Sequence, residues 1–247
     1  MGIFYGIFAF LFGLQIGSFL NVVVLRYGTG DSIIKTRSRC FNCSHVLGWK
    51  ELVPVLSFVL QKGKCRFCKS RISWQYPIVE ILTGLVFVLL WLKFSAAGGS
   101  ALGGLYWLVF FSLLITISVY DIKHKIIPDG LVYALILLTL IFSYQNILAG
   151  LGAFAFFAFL WIVSHGAWMG FGDAKLMTGI GLFLGWPLVL LGSLFAFWLG
   201  SVWGISLIIL KKAGSKSEIP FAPFLVLGAF LAFIFGDSII FWYASML

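Results

Sequence analysis

The stretch from Lys175 to Leu210, KLMTGIGLFLGWPLVLLGSLFAFWLGSVWGISLIIL, is almost unbroken apolar sequence. A membrane span needs only about 20 apolar residues, so this stretch is too long for one helix. Gly185-Trp-Pro187 lies inside it and supplies a break, because proline removes a backbone donor and glycine permits tight geometry. The expectation is two short spans joined by a hairpin.

Working outward, residues 3–25, 77–95, 103–120, 130–145, 147–168 and 222–245 are further span candidates, which brings the expected total to eight. Hydrophobic residues make up 62% of the 247 and charged residues 10%, against roughly 45–50% and about 25% in soluble domains. A soluble core cannot absorb that much apolar surface. The 27 Phe, 10 Trp and 8 Tyr suit lipid-facing surfaces and interfacial belts, so the first partner of the chain is the lipid bilayer. The opening Met-Gly-Ile-Phe-Tyr-Gly has no basic n-region and no small-residue cleavage site, and it reads as a retained first span.

The formal net charge of +9 invites a nucleic-acid reading. Its distribution argues against one. Ten of the 17 Lys and Arg fall between Arg26 and Arg71, and most others flank apolar segments, which is the pattern of cytoplasmic loops. With residues 26–76 in the cytoplasm and eight spans, segments 120–129, 169–174 and 211–218 emerge on that same side. Lys123, Lys125, Lys175, Lys211, Lys212 and Lys216 then obey the charge rule, with Lys93 as the exception. Seven spans would put Lys211 and Lys212 outside. Glycine pairs four apart recur at Gly13/Gly17, Gly181/Gly185 and Gly200/Gly204, but 28 glycines produce roughly three such pairs by chance, so they carry little weight. Ala213 to Ser217 reads as a weak linker.

All four cysteines lie in the 26–76 loop, as Cys40-Phe-Asn-Cys43 and Cys65-Arg-Phe-Cys68. Two such knuckles can set four thiolates tetrahedrally around Zn(II). The spacer between the pairs is slightly longer than usual. Disulfides or inert buried thiols are the alternatives, and a reducing cytoplasm disfavours the first. A metal held by four thiolates is structural, since no position remains for a water nucleophile. His45 is expected at the surface.

The chain has only 8 acidic residues. Two of them, Asp121 and Asp173, stand where apolar segments meet charged loops. A carboxylate at a membrane boundary is a functional-site hypothesis by default. On the eight-span count both emerge on one face. Paired carboxylates at the edge of a low-dielectric region repel, so the two can hold one proton between them near neutrality. One then activates water while the other polarises a carbonyl, which is hydrolysis without a metal or a covalent intermediate. Gly170 and Gly172 precede Asp173 and are expected to let a peptide approach closely. Pro128 ends any helix continuing from Asp121. Lys123, Lys125 and Lys175 can tune the pair or anchor helix ends. Asp129 reads as an N-cap of the fourth span, with at most an indirect role. Each aspartate taken alone fits a helix cap or an ion-pair partner better than a catalytic role. His165 is expected to pack near a span end.

Together these features resemble the type IV prepilin peptidases. The likeness runs in order through Gly17-Ser-Phe-Leu-Asn-Val-Val-Val-Leu-Arg26, the paired cysteines enclosing Glu51-Leu-Val-Pro-Val-Leu-Ser57, Tyr76-Pro-Ile-Val-Glu80, Asp121-Ile-Lys with Ile127-Pro-Asp129, and Gly170-Phe-Gly-Asp-Ala-Lys175. The resemblance implies an integral aspartyl endopeptidase of the bacterial inner membrane with Asp121 and Asp173 as its pair. Its substrates are then prepilins or pseudopilins, cut after a glycine at the cytoplasmic face. It also implies N-methylation of the new terminus with S-adenosylmethionine, although no strand with Gly-x-Gly-x-x-Gly announces a donor site. The departure is Phe41-Asn42 in the first knuckle, where the family often has proline.

The expected fold is thus an all-α polytopic membrane protein of about eight transmembrane helices with a small cytoplasmic zinc-ribbon-like loop domain. It divides into a first helix (1–25), the four-cysteine domain (26–76) and a peptidase domain (77–247). The competing class is a proton- or ion-coupled transporter with a zinc-binding loop. That class favours inverted repeats and acids near mid-membrane, and neither is evident. A membrane scaffold is a third class. A serine mechanism lacks its Ser–His pairing, with only His45, His124 and His165 available.

Overall fold

The computed structural model describes residues 2–211 and 219–246. Lys212, Lys216 and the Ala213–Ser217 linker lie outside them. The described residues are almost wholly helical, with two isolated β-bridges in place of strands. The helices are α1 (Gly2–Arg26), α2 (Leu56–Leu60), α3 (Gln75–Ala97), α4 (Ala101–His124), α5 (Asp129–Ser143), α6 (Ile147–Val163), α7 (Phe171–Leu184), α8 (Leu188–Ile209) and α9 (Ala222–Ala244).

Setting aside α2, eight described helices correspond to the eight expected segments. Six stretches are long and apolar enough to cross a membrane. The difference has two sources. α5 and α6 run through a single 3₁₀ turn at Tyr144–Asn146 and form one 35-residue stretch. α7 has only 14 residues, about 21 Å at 1.5 Å per residue, against a hydrocarbon core of about 30 Å. The expected break falls where it was read: Gly185 caps α7 at φ +70, and α8 starts immediately after Pro187. Asn146 ties this end down. It donates from its side chain to Leu182 O at 3.1 Å and fills the space where a Cβ on Gly185 would sit.

The chain divides into two compact units, one ending at Thr116 and the other beginning at Ile117. In the first, α1 packs along α3. A Cβ at Gly13 would lie 2.7 Å from Gly84 Cα, and one at Gly17 would lie 2.7 Å from Glu80 Cα. The Gly13/Gly17 pair therefore sets a close backbone contact between helices, which corrects the small weight given it above. Chance frequency is no guide where the partner helix presents its own backbone. Without a hydrophobic force between helices in lipid, such close van der Waals packing is what joins them. Near one end of this pair Asn21, fully buried, donates to Gly17 O and Tyr76 O and accepts from the Gln75 side chain.

The loop module is tied to the same helix pair at Pro54-Val55-Leu56. Leu56 N–H donates to Pro54 O at 2.5 Å, closing a γ-turn with Val55 at φ 60, ψ −51. A β-branched residue at positive φ is a true outlier, and this turn form is rare and strained, at about 1–3 kcal/mol. The Val55 N–H donates to the buried carboxylate of Glu80 at 2.7 Å.

In the second unit α7 is the core element, packed against α5, α6 and α9, while α8 packs on α9. Ten of its 14 residues are buried, Asp173 among them, so the helix carrying that acid is surrounded by protein. Gly179 and Gly181 admit Leu135 of α5 and the backbone of Ala149–Gly150 of α6.

Candidate active site and metal centre

Asp173 sits in the first turn of α7, whose N-cap is Gly170 in extended conformation. Its Oδ2 accepts the Gly170 N–H at 3.1 Å, so it caps the helix that carries it. Its Oδ1 is buried and has no hydrogen-bond partner among the described residues. A buried polar atom left unpaired is costly and calls for an explanation. Asp121 lies in the last turn of α4, and its Oδ2 accepts the backbone N–H of Ala222, the first residue of α9, at 3.2 Å. Both carboxylates are thus anchored by one oxygen at a helix N-terminus, where backbone N–H groups and the macrodipole favour negative charge. Both are nearly inaccessible, at 4% and 5% exposure. The two acids that the sequence singled out separately lie in the same compact unit, each held at a helix N-terminus.

The residues around them divide. Lys175 Nζ lies 2.8 Å from Asp129 Oδ1 and over the rings of Tyr133 and Phe171 at 5.7 and 5.4 Å. Asp129 is therefore no N-cap. Pro128 takes that position without a side-chain bond, and Asp129, one residue further on, turns its carboxylate to Lys175. Of the two glycines expected to leave room for a peptide, Gly172 is occupied, because a Cβ there would come 2.9 Å from Ile127 Cβ. It admits the α4–α5 connection instead. Gly170 is open, with nothing nearer its Cβ position than Asp173 Oδ2 at 3.8 Å. Lys123 is exposed on α4, and His124 stacks on Tyr120 with ring centres 4.3 Å apart. His165 is exposed in the turn after α6, with φ 50.

Sequence reasoning missed Ala222, which contributes only a backbone N–H. The available signal was Pro220 and Pro223 on either side of it, since proline marks the first turn of a helix where free N–H groups gather.

The four cysteines converge. One sulfur from each of Cys40, Cys43, Cys65 and Cys68 lies within 4.8 Å of the others. The two knuckles have matching backbones. Cys40 N–H donates to His45 O and Ser44 N–H to Cys40 O, while Cys65 N–H donates to Ser70 O and Lys69 N–H to Cys65 O. Ser44 and Lys69, each directly after its second cysteine, both take positive φ. Isolated bridges Arg39–Val46 and Lys64–Arg71 close the two loops. The spacer length is no obstacle, and Phe41-Asn42 is accommodated.

Four thiols this close cannot all ionise without a cation. The Ser70 hydroxyl, then its N–H, draws Cys68 down to about 5. Cys43 receives the His45 N–H, which favours its thiolate, yet burial and hydrogen sharing with the other three thiols push it up to about 11. The donor set fits a tetrahedral ion such as zinc. His45 stays out of it: its ring lies on Phe67, centroids 3.6 Å apart, with Nε2 3.9 Å from Glu51 Oε2.

Beside the knuckles the module carries a half-open cavity of about 510 Å³, lined by Glu51, Ser57, Gln61 and the basic Lys50, Lys62 and Lys64, among others. Glu51 Oε2 accepts the Gly48 N–H at 2.8 Å, and its Oε1 is buried with no partner among the described residues.

This is the architecture of a helical membrane protein with two buried, helix-anchored aspartates in one unit and a four-thiol cluster in the other. Residues 11–94 match the bacterial peptidase A24 N-terminal domain, and residues 108–205 match the type IV leader peptidase family. A Bacillus subtilis prepilin leader peptidase/N-methyltransferase is 35% identical over 245 residues, covering 96% of this chain and 97% of its own. Proteins of the same description from Aeromonas salmonicida and Myxococcus xanthus are 32% and 36% identical, covering 96% and 88% of this chain and 92% and 68% of theirs. No solved structure matches. The chain belongs to the type IV leader peptidase family.

Proposed function

We propose that this protein is an aspartyl endopeptidase of the bacterial inner membrane that removes the leader from prepilins or pseudopilins after a glycine, at the cytoplasmic face, and then N-methylates the new terminus. The observation that carries the reading is the two acids themselves: buried carboxyls of one unit, each fixed by one oxygen to a helix N-terminus, with Asp173 Oδ1 left unpaired. A pair sharing one proton has an ionised member that takes a proton from water and a protonated member that donates to the scissile carbonyl. Because both side chains are held, little reorganisation is needed when charge moves. Lys175, fixed by Asp129 and the Tyr133 and Phe171 rings, holds the first turn of α7 in place beside Asp173. A transporter has no need of two acids clamped at helix ends.

The second activity belongs to the cysteine module. Cys40, Cys43, Cys65 and Cys68 hold a structural Zn(II), which supplies much of the folding energy of a loop with little core. S-adenosylmethionine is the methyl donor, and the 510 Å³ cavity fits it in size and chemistry. Its Glu51 carboxylate suits the cationic ammonium or sulfonium, and its lysines suit the carboxylate. When bound, the donor supplies the transferable methyl group. The test is incubation of the purified protein with a prepilin peptide and S-adenosylmethionine, with the product weighed by mass spectrometry. The expected product lacks the leader and gains one methyl group. An uncut peptide refutes the peptidase reading, and a cut but unmethylated one refutes the second activity.

A further inference from the structure

The strained turn at Val55 lies between two groups of residues that line the cavity of the module. Glu51 precedes it, and Ser57 and Leu60 on α2, with Gln61 just after that helix, follow it. A γ-turn here reverses the chain so that both groups face one space. Left to itself, a valine at φ 60 relaxes to an ordinary conformation, and the two groups separate. Beside the backbone bonds from Leu56 N–H to Pro54 O and Ser57 N–H to Val53 O, what opposes this is the Val55 N–H bond to Glu80 Oε2. Glu80 is itself immobilised. It is 6% exposed, its backbone is pressed by Gly17 of α1, and the Ser18 side chain also bonds its carboxylate. The carboxylate thus fastens the strained turn beside the cavity to the closely packed α1–α3 pair of the unit.

We infer that Glu80 is a positioning residue for methyl transfer: by holding the Pro54–Leu56 turn it keeps Glu51 and α2 in the arrangement that receives the methyl donor. This rests on the reading of the cysteine module as the methyl-transfer centre. It assigns Glu80 no part in peptide hydrolysis and no contact with the donor.

The inference has a specific signature, because only a residue with a Cβ needs to be held in this turn. Glycine adopts φ near +60 without cost. The experiment compares full-length wild type, Glu80→Ala, Glu80→Gln and the double variant Glu80→Ala/Val55→Gly. Binding of S-adenosylhomocysteine is measured by calorimetry, methylation KM and kcat on pre-cut peptide by kinetics, and leader removal in parallel. Glu80→Ala is expected to weaken donor binding and raise the donor KM by about tenfold or more, as release of strain of this size implies, with kcat less affected and leader removal intact. Glu80→Gln keeps an acceptor oxygen and is expected to stay within about threefold of wild type. Glycine at 55 in the Glu80→Ala background is expected to restore donor binding to within about threefold.

Unchanged donor binding in Glu80→Ala, or failure of the glycine to restore it while leader removal persists, overturns the inference. Should Glu80→Ala not accumulate, Glu80→Gln decides: a tenfold loss there means the charge itself acts, and the positioning role is wrong. A wild-type protein that cuts the peptide but neither binds S-adenosylhomocysteine nor methylates removes the underlying reading instead.

Discussion

Asp121 accepts a hydrogen bond at 3.2 Å from the backbone of Ala222, a residue 101 positions away in the chain. The start of α9 therefore fixes the acid that ends α4, just as the start of α7 fixes Asp173 through Gly170. Positioned acid–base groups contribute typically 10²–10⁴-fold to a rate. Asp121→Asn and Asp173→Asn are each expected to lower leader removal by at least about 10²-fold. Asparagine keeps an acceptor for the helix N–H, so both variants are expected to accumulate in the membrane at wild-type levels. Asp173→Ala should also lose roughly 1 kcal/mol of helix capping. Peptide cleavage measured beside thermal unfolding separates these effects, and full activity in either asparagine variant sinks the dyad.

The Lys175–Asp129 pair calls for a smaller effect. The Asp129 side chain is 55% exposed and that of Lys175 21%, and exposed ion pairs contribute about 0–1 kcal/mol. Lys175→Met retains much of the packing on Tyr133 and Phe171. It is expected to slow cleavage by less than about tenfold, and Asp129→Asn to behave alike. Steady-state kinetics check this; a loss as large as that of the aspartate variants would place Lys175 in the chemistry.

Elemental analysis is expected to find one zinc per chain, lost in Cys40→Ser/Cys43→Ser. Binding must strip a proton from Cys43, whose thiol is held up at about 11, whereas Cys68, down at about 5, is already ionised at neutrality. Zinc affinity is therefore expected to fall as pH falls, with protons released on binding. Chelator competition at several pH values measures the slope. A flat profile contradicts four-thiolate ligation.

Gly17→Val puts carbon against the Glu80 backbone, where nothing at the end of a flexible side chain can yield. Overpacking of this kind costs typically 1–3 kcal/mol. The variant is expected to accumulate poorly or unfold at lower temperature, while Gly30→Ala, with open space around it, tests only the conformational cost of φ +82. Thermal unfolding in detergent compares the two.

Local chemistry was legible in the chain. Gly185 and Pro187 end and restart helices through their own backbones, and each cysteine knuckle closes on itself within six residues, as in Cys40 to His45. Contacts set by distant partners were not. Whether Gly17 meets a helix backbone depends on Glu80, and whether Asp129 caps or pairs depends on Lys175, 46 positions on. The turn at Val55 shows the limit most clearly. Nothing in a Pro-Val-Leu string announces a positive φ, because the conformation is imposed by a carboxylate on another helix.

The shortness of α7 has a consequence for how a hydrolase obtains its second reactant. At 14 residues the helix is some 9 Å short of a typical hydrocarbon slab, and what surrounds it is protein rather than lipid. With lipid held off by those neighbours, a thicker slab lengthens the path that moisture takes to a scissile bond at Asp173, whose flanking segment stays dissolved in oil. Reconstitution into lipids with longer acyl chains is accordingly expected to slow turnover without loosening the grip on substrate.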